Sequence, residues 1–251
     1  IWIDAPEVGW SCVVVTDNDP ALAKQLCHEL CEMNWAIKDH AHPKPLSPEQ
    51  AIAKVRKARW RSWLGTSIIS DLSDLVAAGA PGESTLILQA LLAEKKNLTA
   101  YVPLCDEEAV NQFDPSNLTH EVTVTVGAKL EKKFNQRVEF KGQLIFLANS
   151  RYGKTAVVVQ DKLHLIITTL PCPTFKPSFF TKLGLSIWKA DVIVVKNLFP
   201  FRLFFWLYNR QTLYVETAGV TNIDVFQLDY KHIPRPIYPL DQIEDWRVIA
   251  P

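Results

Sequence analysis

The 251-residue chain is poor in several things, and each shortage excludes something. Its formal net charge is zero, so no bulk field draws it to nucleic acid or to an acidic membrane, and neither is expected as a partner. No apolar run is long enough to span a bilayer; the best candidate, residues 198–208, is short and contains Arg202. The start lacks the basic and then apolar pattern of a secretory signal. Cysteines number five, an odd count without regular spacing, which argues against a disulfide framework and for free thiols in a reducing, cytoplasmic setting. The only methionine is Met33, so Ile1 is not a translation start, and the chain is expected to be processed or cut from something longer. There is no Gly-x-Ser-x-Gly elbow, and no lysine follows Gly82-Glu83-Ser84 as a phosphate loop requires.

What is present is an ordinary core-forming composition, 48% hydrophobic and 22% charged, enough for one large or two small domains. Residues 11–16 (Ser-Cys-Val-Val-Val-Thr) read as a buried strand. Asp17, Asp19 and Pro20 then open a helix to about Asp39, with Leu22, Leu26, Leu30 and Met33 at helical spacing. A proline-rich connection leads to a capping signature, Ser47-Pro48-Glu49-Gln50, and a helix to about Ala58. Strands are expected at residues 67–72, 99–104, 192–195 and 213–215, with a mainly β stretch from Thr119 to Thr169 and a helix over residues 199–208. The fold class is therefore α/β: a mixed sheet with flanking helices and a β-rich middle section. The domain boundary is placed after the charged helix end, with residues 1–62 as one part and 63–251 as the other.

Chemistry concentrates in a glycine turn, Gly79-Ala80-Pro81-Gly82-Glu83-Ser84-Thr85, between a strand and a helix. Gly79 and Gly82 let the backbone approach a ligand, and the N–H groups with Ser84 and Thr85 suit a substrate carbonyl or carboxylate. The bland alternative is a capped helix start. Asp71 and Asp74 stand just before the turn, either as a working pair or bonded to nearby N–H groups. Lys196 ends a strand and Arg202 lies among Phe199, Phe201, Phe204, Phe205 and Trp206. The two cations suit a peptide carboxylate, or an internal ion pair with Asp71, Asp74 or Glu83. Cys27 and Cys31 share a helix face beside His28, with His40 and His42 in the next loop, but no further ligand pair completes a metal site. Arg56, Lys57, Arg59 and Arg61 around Trp60 and Trp63 read as a solvated helix end.

Three blocks in order resemble the MlrC family of metallopeptidases, the microcystin-degradation proteins. They are Ser70-Asp71-Leu72-Ser73-Asp74 with the glycine turn; Val194-Val195-Lys196 with Phe201-Arg202; and Glu216-Thr217-Ala218-Gly219-Val220-Thr221 leading to Pro234-Arg235-Pro236-Ile237-Tyr238-Pro239-Leu240-Asp241. The resemblance implies that residues 66–241 form the family's C-terminal domain and residues 11–39 the last strand and helix of its N-terminal domain. It further implies a hydrolase acting on peptides with zinc, the zinc ligands lying in the N-terminal domain and no zinc expected in this chain. Asp71, Asp74, Gly79, Gly82, Ser84, Thr85, Lys196 and Arg202 would then line the substrate cleft opposite that domain; no catalytic or metal residue is assigned here. Two departures, Leu75-Val76-Ala77-Ala78 for a glycine-rich run and Leu198-Phe199-Pro200 for a histidine-rich one, carry the alternative: a diverged, non-catalytic binding or interaction module. Pairing of copies is left open.

Overall fold

The computed structural model describes residues 3–40, 44–94 and 98–248. The chain divides into two compact units: residues 1–44 with 224–251, and residues 45–223. The sequence-based division falls elsewhere, at 62/63, because the charged end of the helix before it reads as a linker. That helix packs instead into the core of the larger unit.

The larger unit is built on one eight-stranded sheet. Its strands are β1 (Thr66–Asp71), β2 (Ala100–Cys105), β3 (Glu121–Val126), β4 (Val138–Ser150), β5 (Gly153–Gln160), β6 (Leu163–Thr168), β7 (Val192–Val195) and β8 (Asn209–Val215). Their order is β3-β4-β5-β6-β2-β7-β1-β8. The β6-β2-β7-β1-β8 half is parallel and the β3-β4-β5-β6 half antiparallel. The sequence patterns follow from this. β1, β2 and β7 are buried along their whole length, as parallel strands covered on both faces must be. β3 alternates buried and more exposed positions along its antiparallel edge.

Alternate strand residues feed two cores. Ile69, Val192 and Val194 face a core shared with α2 (Pro48–Ala58), α3 (Leu86–Ala93) and α4 (Glu107–Asn111), through Ile52, Val55, Ile87, Leu88 and Val110. Ile68, Ile193 and Val195 face the other, shared with α5 (Pro177–Lys182) and α6 (Pro200–Phe204), through Phe180, Phe201 and Phe205. The chain therefore leaves β1 toward one face and the neighbouring β7 toward the opposite face. The register pairs Ser70 with Val195, so Asp71 and Lys196 emerge side by side. Such a divergence at the carboxyl ends of adjacent parallel strands is where α/β folds open a crevice.

The smaller unit carries α1 (Pro20–Ala36), capped by Asp19, whose carboxylate accepts the Leu22 N–H. The expected strand at 11–16 is not formed. The segment has no strand partner among the described residues, and Val13 and Val15 are 83% and 89% exposed. β-branched residues favour a strand only when a neighbouring strand completes the ladder. α1 stops at Ala36 rather than near Asp39, and its Leu22, Leu30 and Met33 are exposed. Asp4 accepts the backbone N–H groups of Lys231, His232 and Ile233 at 2.7–3.0 Å, and Asp241 pairs with Arg235 while accepting the Ile237 N–H at 2.7 Å. The expected helix at 199–208 is reduced to α6. Its last carbonyls turn the chain into β8 instead, the Tyr208 and Asn209 N–H groups both bonding the Phe205 carbonyl.

The two-sided core makes a simple prediction. Phe180→Ala removes a fully buried ring that touches Tyr101 and Phe205 and is expected to cost about 3–5 kcal/mol. Leu203→Ala, at a position 73% exposed, is expected to change stability by no more than about 0.5 kcal/mol. Urea unfolding of the two variants beside the parent chain measures both.

Candidate functional site

At the crevice between β1 and β7 the protein has placed its own charges. Lys196 Nζ lies 2.7 Å from Asp74 Oδ2 and 3.1 Å from Asp71 Oδ2, and all three side chains are almost wholly buried. The lysine cannot leave: its backbone N–H bonds Thr174 Oγ1 at 3.0 Å, and its carbonyl accepts from Val76. The carboxylates are not equivalent. Asp74 also accepts the Gly82 N–H at 2.8 Å and the Ser84 N–H at 2.7 Å, one on each oxygen. Among the described residues Asp71 has, besides its lysine, a long contact from the Ser73 N–H at 3.3 Å.

Burial pushes the Asp71 carboxyl above its ordinary range; the Lys196 charge opposes that push and the Asp74 charge adds to it. Burial alone would lower Lys196, but Asp74 and Asp71 outweigh it and hold the ammonium above its ordinary value. Lys196 is thus a fixed cation.

Asp74 in turn fixes the glycine turn. Gly79 and Gly82 adopt φ of 95° and 80°, where side chains are strained, and a Cβ on Gly82 would lie 2.9 Å from Val76 Cγ2. The next residue, Glu83, is buried and points its carboxylate at the N–H groups of Lys129, Leu130 and Glu131, at 2.9, 3.0 and 2.5 Å. Its carbonyl accepts from Asn135 Nδ2 at 2.7 Å. Asn135 Oδ1 accepts the Thr85 N–H at 3.0 Å and lies 2.8 Å from Thr85 Oγ1. The block from Glu216 to Thr221 clamps the other side. Ser73 Oγ donates to the Thr217 carbonyl and accepts the Thr217 N–H, both at 2.8 Å. Thr221 Oγ1 donates to the Leu72 carbonyl at 2.8 Å and accepts the Leu75 N–H at 3.0 Å. Gly219 must be glycine here, since a Cβ would lie 2.2 Å from the Ser73 carbonyl.

Seven of the eight residues singled out from the sequence therefore meet at one place: Asp71, Asp74, Gly79, Gly82, Ser84, Thr85 and Lys196. Arg202 does not join them. It is exposed on α6 and forms no ion pair among the described residues. The expected set of free N–H donors is corrected by the geometry. The Gly82 and Ser84 N–H groups bond Asp74 and that of Thr85 bonds Asn135, because a buried N–H must find an acceptor. Lys196 is likewise engaged by the internal pair rather than open to a peptide carboxylate. The Ser84 hydroxyl remains: its oxygen is buried without a hydrogen-bond partner among the described residues. It lines a small cavity with Pro81, Phe134, Asn135 and Gly219, with about 20 Å³ of space, room for a water. No pattern in the sequence singles out Asn135; Glu83, weighed there as an ion-pair partner of the cations, instead takes the N–H groups of residues 129–131.

No three His, Cys, Asp or Glu side chains among the described residues are grouped to hold a metal. His28 turns to the Trp246 ring and to Glu32 rather than to the neighbouring thiols, and His42 lies outside the described residues. Asp71 and Asp74, the nearest approach to a carboxylate pair, are committed to Lys196. The described residues do not fit a zinc ion. No helix among the described residues is long and apolar enough to cross a membrane. In the basic run Arg56 pairs with Glu94 and Arg59 with Asp191.

Fold and site together define an α/β domain with helices on both faces and its switch point closed by an internal ion cluster. The family model described as MlrC C-terminus matches residues 69–232, well over half of the chain, and the chain belongs to that family. A similar solved structure is that of a protein from Mesorhizobium sp. BNC1, described as "Putative metallopeptidase". It matches with a TM-score of 0.75 and 24% identity over 91% of this chain and 47% of that one. The chain thus spans about half the length of that protein, and the likeness establishes the shared fold. No curated protein matches.

The ion cluster predicts unequal mutants. Lys196→Met leaves two buried carboxylates unpaired and is expected to cost about 3–5 kcal/mol. For Asp71 the folded pKa lies above the unfolded value of about 3.9. The folded state therefore binds that proton more tightly, and stability is lost as pH rises through the window between the two values. Asp71→Asn removes this slope. Its stability relative to the parent chain is expected to improve from pH ~4 to neutrality, read from urea midpoints at each pH.

Proposed function

We propose that this chain is the C-terminal part of a zinc-dependent peptidase or amidohydrolase of the MlrC type, working beside an N-terminal half that carries the metal. In such enzymes the zinc supplies an activated water and polarises the scissile carbonyl. The role of this chain is to form one wall of a peptide-binding cleft. The body at residues 45–223 is the C-terminal domain in this reading, and the segment before it is the end of the N-terminal one. The setting is the cytoplasm.

The observation that carries the reading is the Ser84 hydroxyl, buried without a partner among the described residues, on a residue that lines a small cavity with Asp74, Glu83 and Asn135. A buried hydroxyl without a partner is costly, and a peptide carbonyl or amide at the cavity supplies one. The network around Asp74, Glu83 and Asn135 keeps that hydroxyl fixed, which is what positioning a substrate requires. Arg202, exposed on α6 and in no ion pair among the described residues, is the cation left open to a peptide carboxylate in this reading. The reading as a non-catalytic module rests on the internal engagement of Lys196 and of the turn's N–H groups.

Two measurements separate these. The 251-residue chain, purified without chelators, is expected to hold no zinc by atomic emission; one tightly bound zinc per chain would overturn the assignment of the metal to the other half. In the protein comprising both halves, Ser84→Ala and Arg202→Ala are each expected to lower kcat/KM on peptides by about tenfold, or about 1.4 kcal/mol, with zinc content unchanged. Unchanged kcat/KM in both variants would remove this chain from the cleft.

A further inference from the structure

Three of the five cysteines lie together in the smaller unit. Cys27 and Cys31 stand one turn apart on α1, and Cys12 lies alongside in the extended segment 11–16. Cys27 Sγ donates to the Cys12 carbonyl at 3.5 Å, and Asn34 Nδ2 donates to Cys12 Sγ at 3.7 Å. Positions 27, 31 and 34 share one helix face. The Cys12 residue therefore has its carbonyl at Cys27 and its sulfur directed toward Asn34, with Cys31 between them. Cys31 lies on that same helix face, near enough to the Cys12 and Cys27 thiols for both to raise its pKa. All three cysteines are partly exposed, within reach of a small oxidant.

We propose that Cys12 and Cys31 are a reversible redox pair whose disulfide fastens the segment at residues 11–16 to α1, with a peroxide as the oxidant. The helical neighbours Cys27 and Cys31 are the poorer pair. Side chains four apart on a helix hold their Cβ atoms about 5–6 Å apart, whereas a disulfide needs about 3.5–4.5 Å. Cys12, on a separate and extended segment, can adjust to meet Cys31.

The chemistry balances with hydrogen peroxide. The Cys12 thiolate attacks one peroxide oxygen; the O–O bond breaks and gives a sulfenic acid, and the departing hydroxide takes a proton to become water. The Cys31 sulfur then attacks the Cys12 sulfur; the S–O bond breaks, and the second hydroxide leaves as water with the Cys31 proton. Two thiols lose two electrons and one peroxide becomes two waters. Burial and the neighbouring thiols hold the Cys31 pKa up at about 11, so Cys31 is the resolving partner rather than the group that meets the peroxide. A dithiol reductant restores both thiols.

The consequence lies in the segment that the fold leaves without a strand partner. Val13 and Val15 are exposed, the bonds of Cys12 to Cys27 and Asn34 hold the segment beside α1, and closing the disulfide adds a covalent tether. The test treats the 251-residue chain with hydrogen peroxide, alkylates remaining thiols, digests and maps cross-linked peptides by mass spectrometry. Expected are a Cys12–Cys31 peptide, loss of two free thiols per chain, and recovery of both with dithiothreitol. Cys12→Ser and Cys31→Ser abolish the cross-link, and Cys27→Ser keeps it. Five free thiols after treatment, a predominant Cys27–Cys31 link, or only chain-to-chain disulfides would each overturn the proposal.

Discussion

A buried lysine between two buried aspartates is the constraint around which the larger unit is arranged. β1 and β7 diverge to opposite faces of the sheet, and the gap at their carboxyl ends receives Lys196, Asp71 and Asp74. Burying such a cluster is expensive unless the remaining hydrogen-bonding capacity is filled. Asp74 answers by taking the N–H groups of Gly82 and Ser84, and so the electrostatics of the switch point dictate the path of the glycine turn. Removing the cation would leave both the pair and the turn without support.

From that centre the order spreads through residues distant in sequence. Glu83 gathers three N–H groups of the 129–131 stretch, Asn135 closes on Thr85, and Ser73 and Thr221 knit the 72–75 loop to the chain after β8. Almost every polar atom in this shell has a partner. Among the described residues the Ser84 oxygen is an exception, and Ser84 lines a small cavity. An unsatisfied group inside an otherwise satisfied network is where a ligand gains most from binding. Within this chain the 70–85 segment, Lys196 and the 216–221 segment each supply a part of that network.

Much of the framework was legible in the sequence because it rests on short-range rules. The apolar run at β7 announced a buried strand, the alternation at β3 announced a half-buried one, and the Ser47 and Asp19 caps set helix starts that the structure shows. The motif blocks pointed to one site, and Asp71, Asp74, Lys196 and the turn do converge. Less legible was what those residues do on meeting. Lys196 reads equally as a binding cation or an internal partner until its two carboxylates are seen within 3.1 Å. The turn's N–H groups read as free donors until Asp74 and Asn135 are found upon them. Val13 and Val15 read as a strand, since strand propensity is visible locally while the partner strand is not.

The sequence by itself determined the class of fold, the positions of most elements, the family and the short list of residues at the site. Periodicity, capping and motif spacing act over a few residues and survive without a three-dimensional context. Only the tertiary structure decided that Lys196 is engaged internally by Asp71 and Asp74, that Arg202 stands apart, that the Ser84 hydroxyl has no partner among the described residues, and that Cys12 comes to lie against Cys27 and Asn34. Those outcomes depend on which atoms distant in the chain are brought within hydrogen-bonding distance. That is set by sheet order and register, which no local pattern encodes.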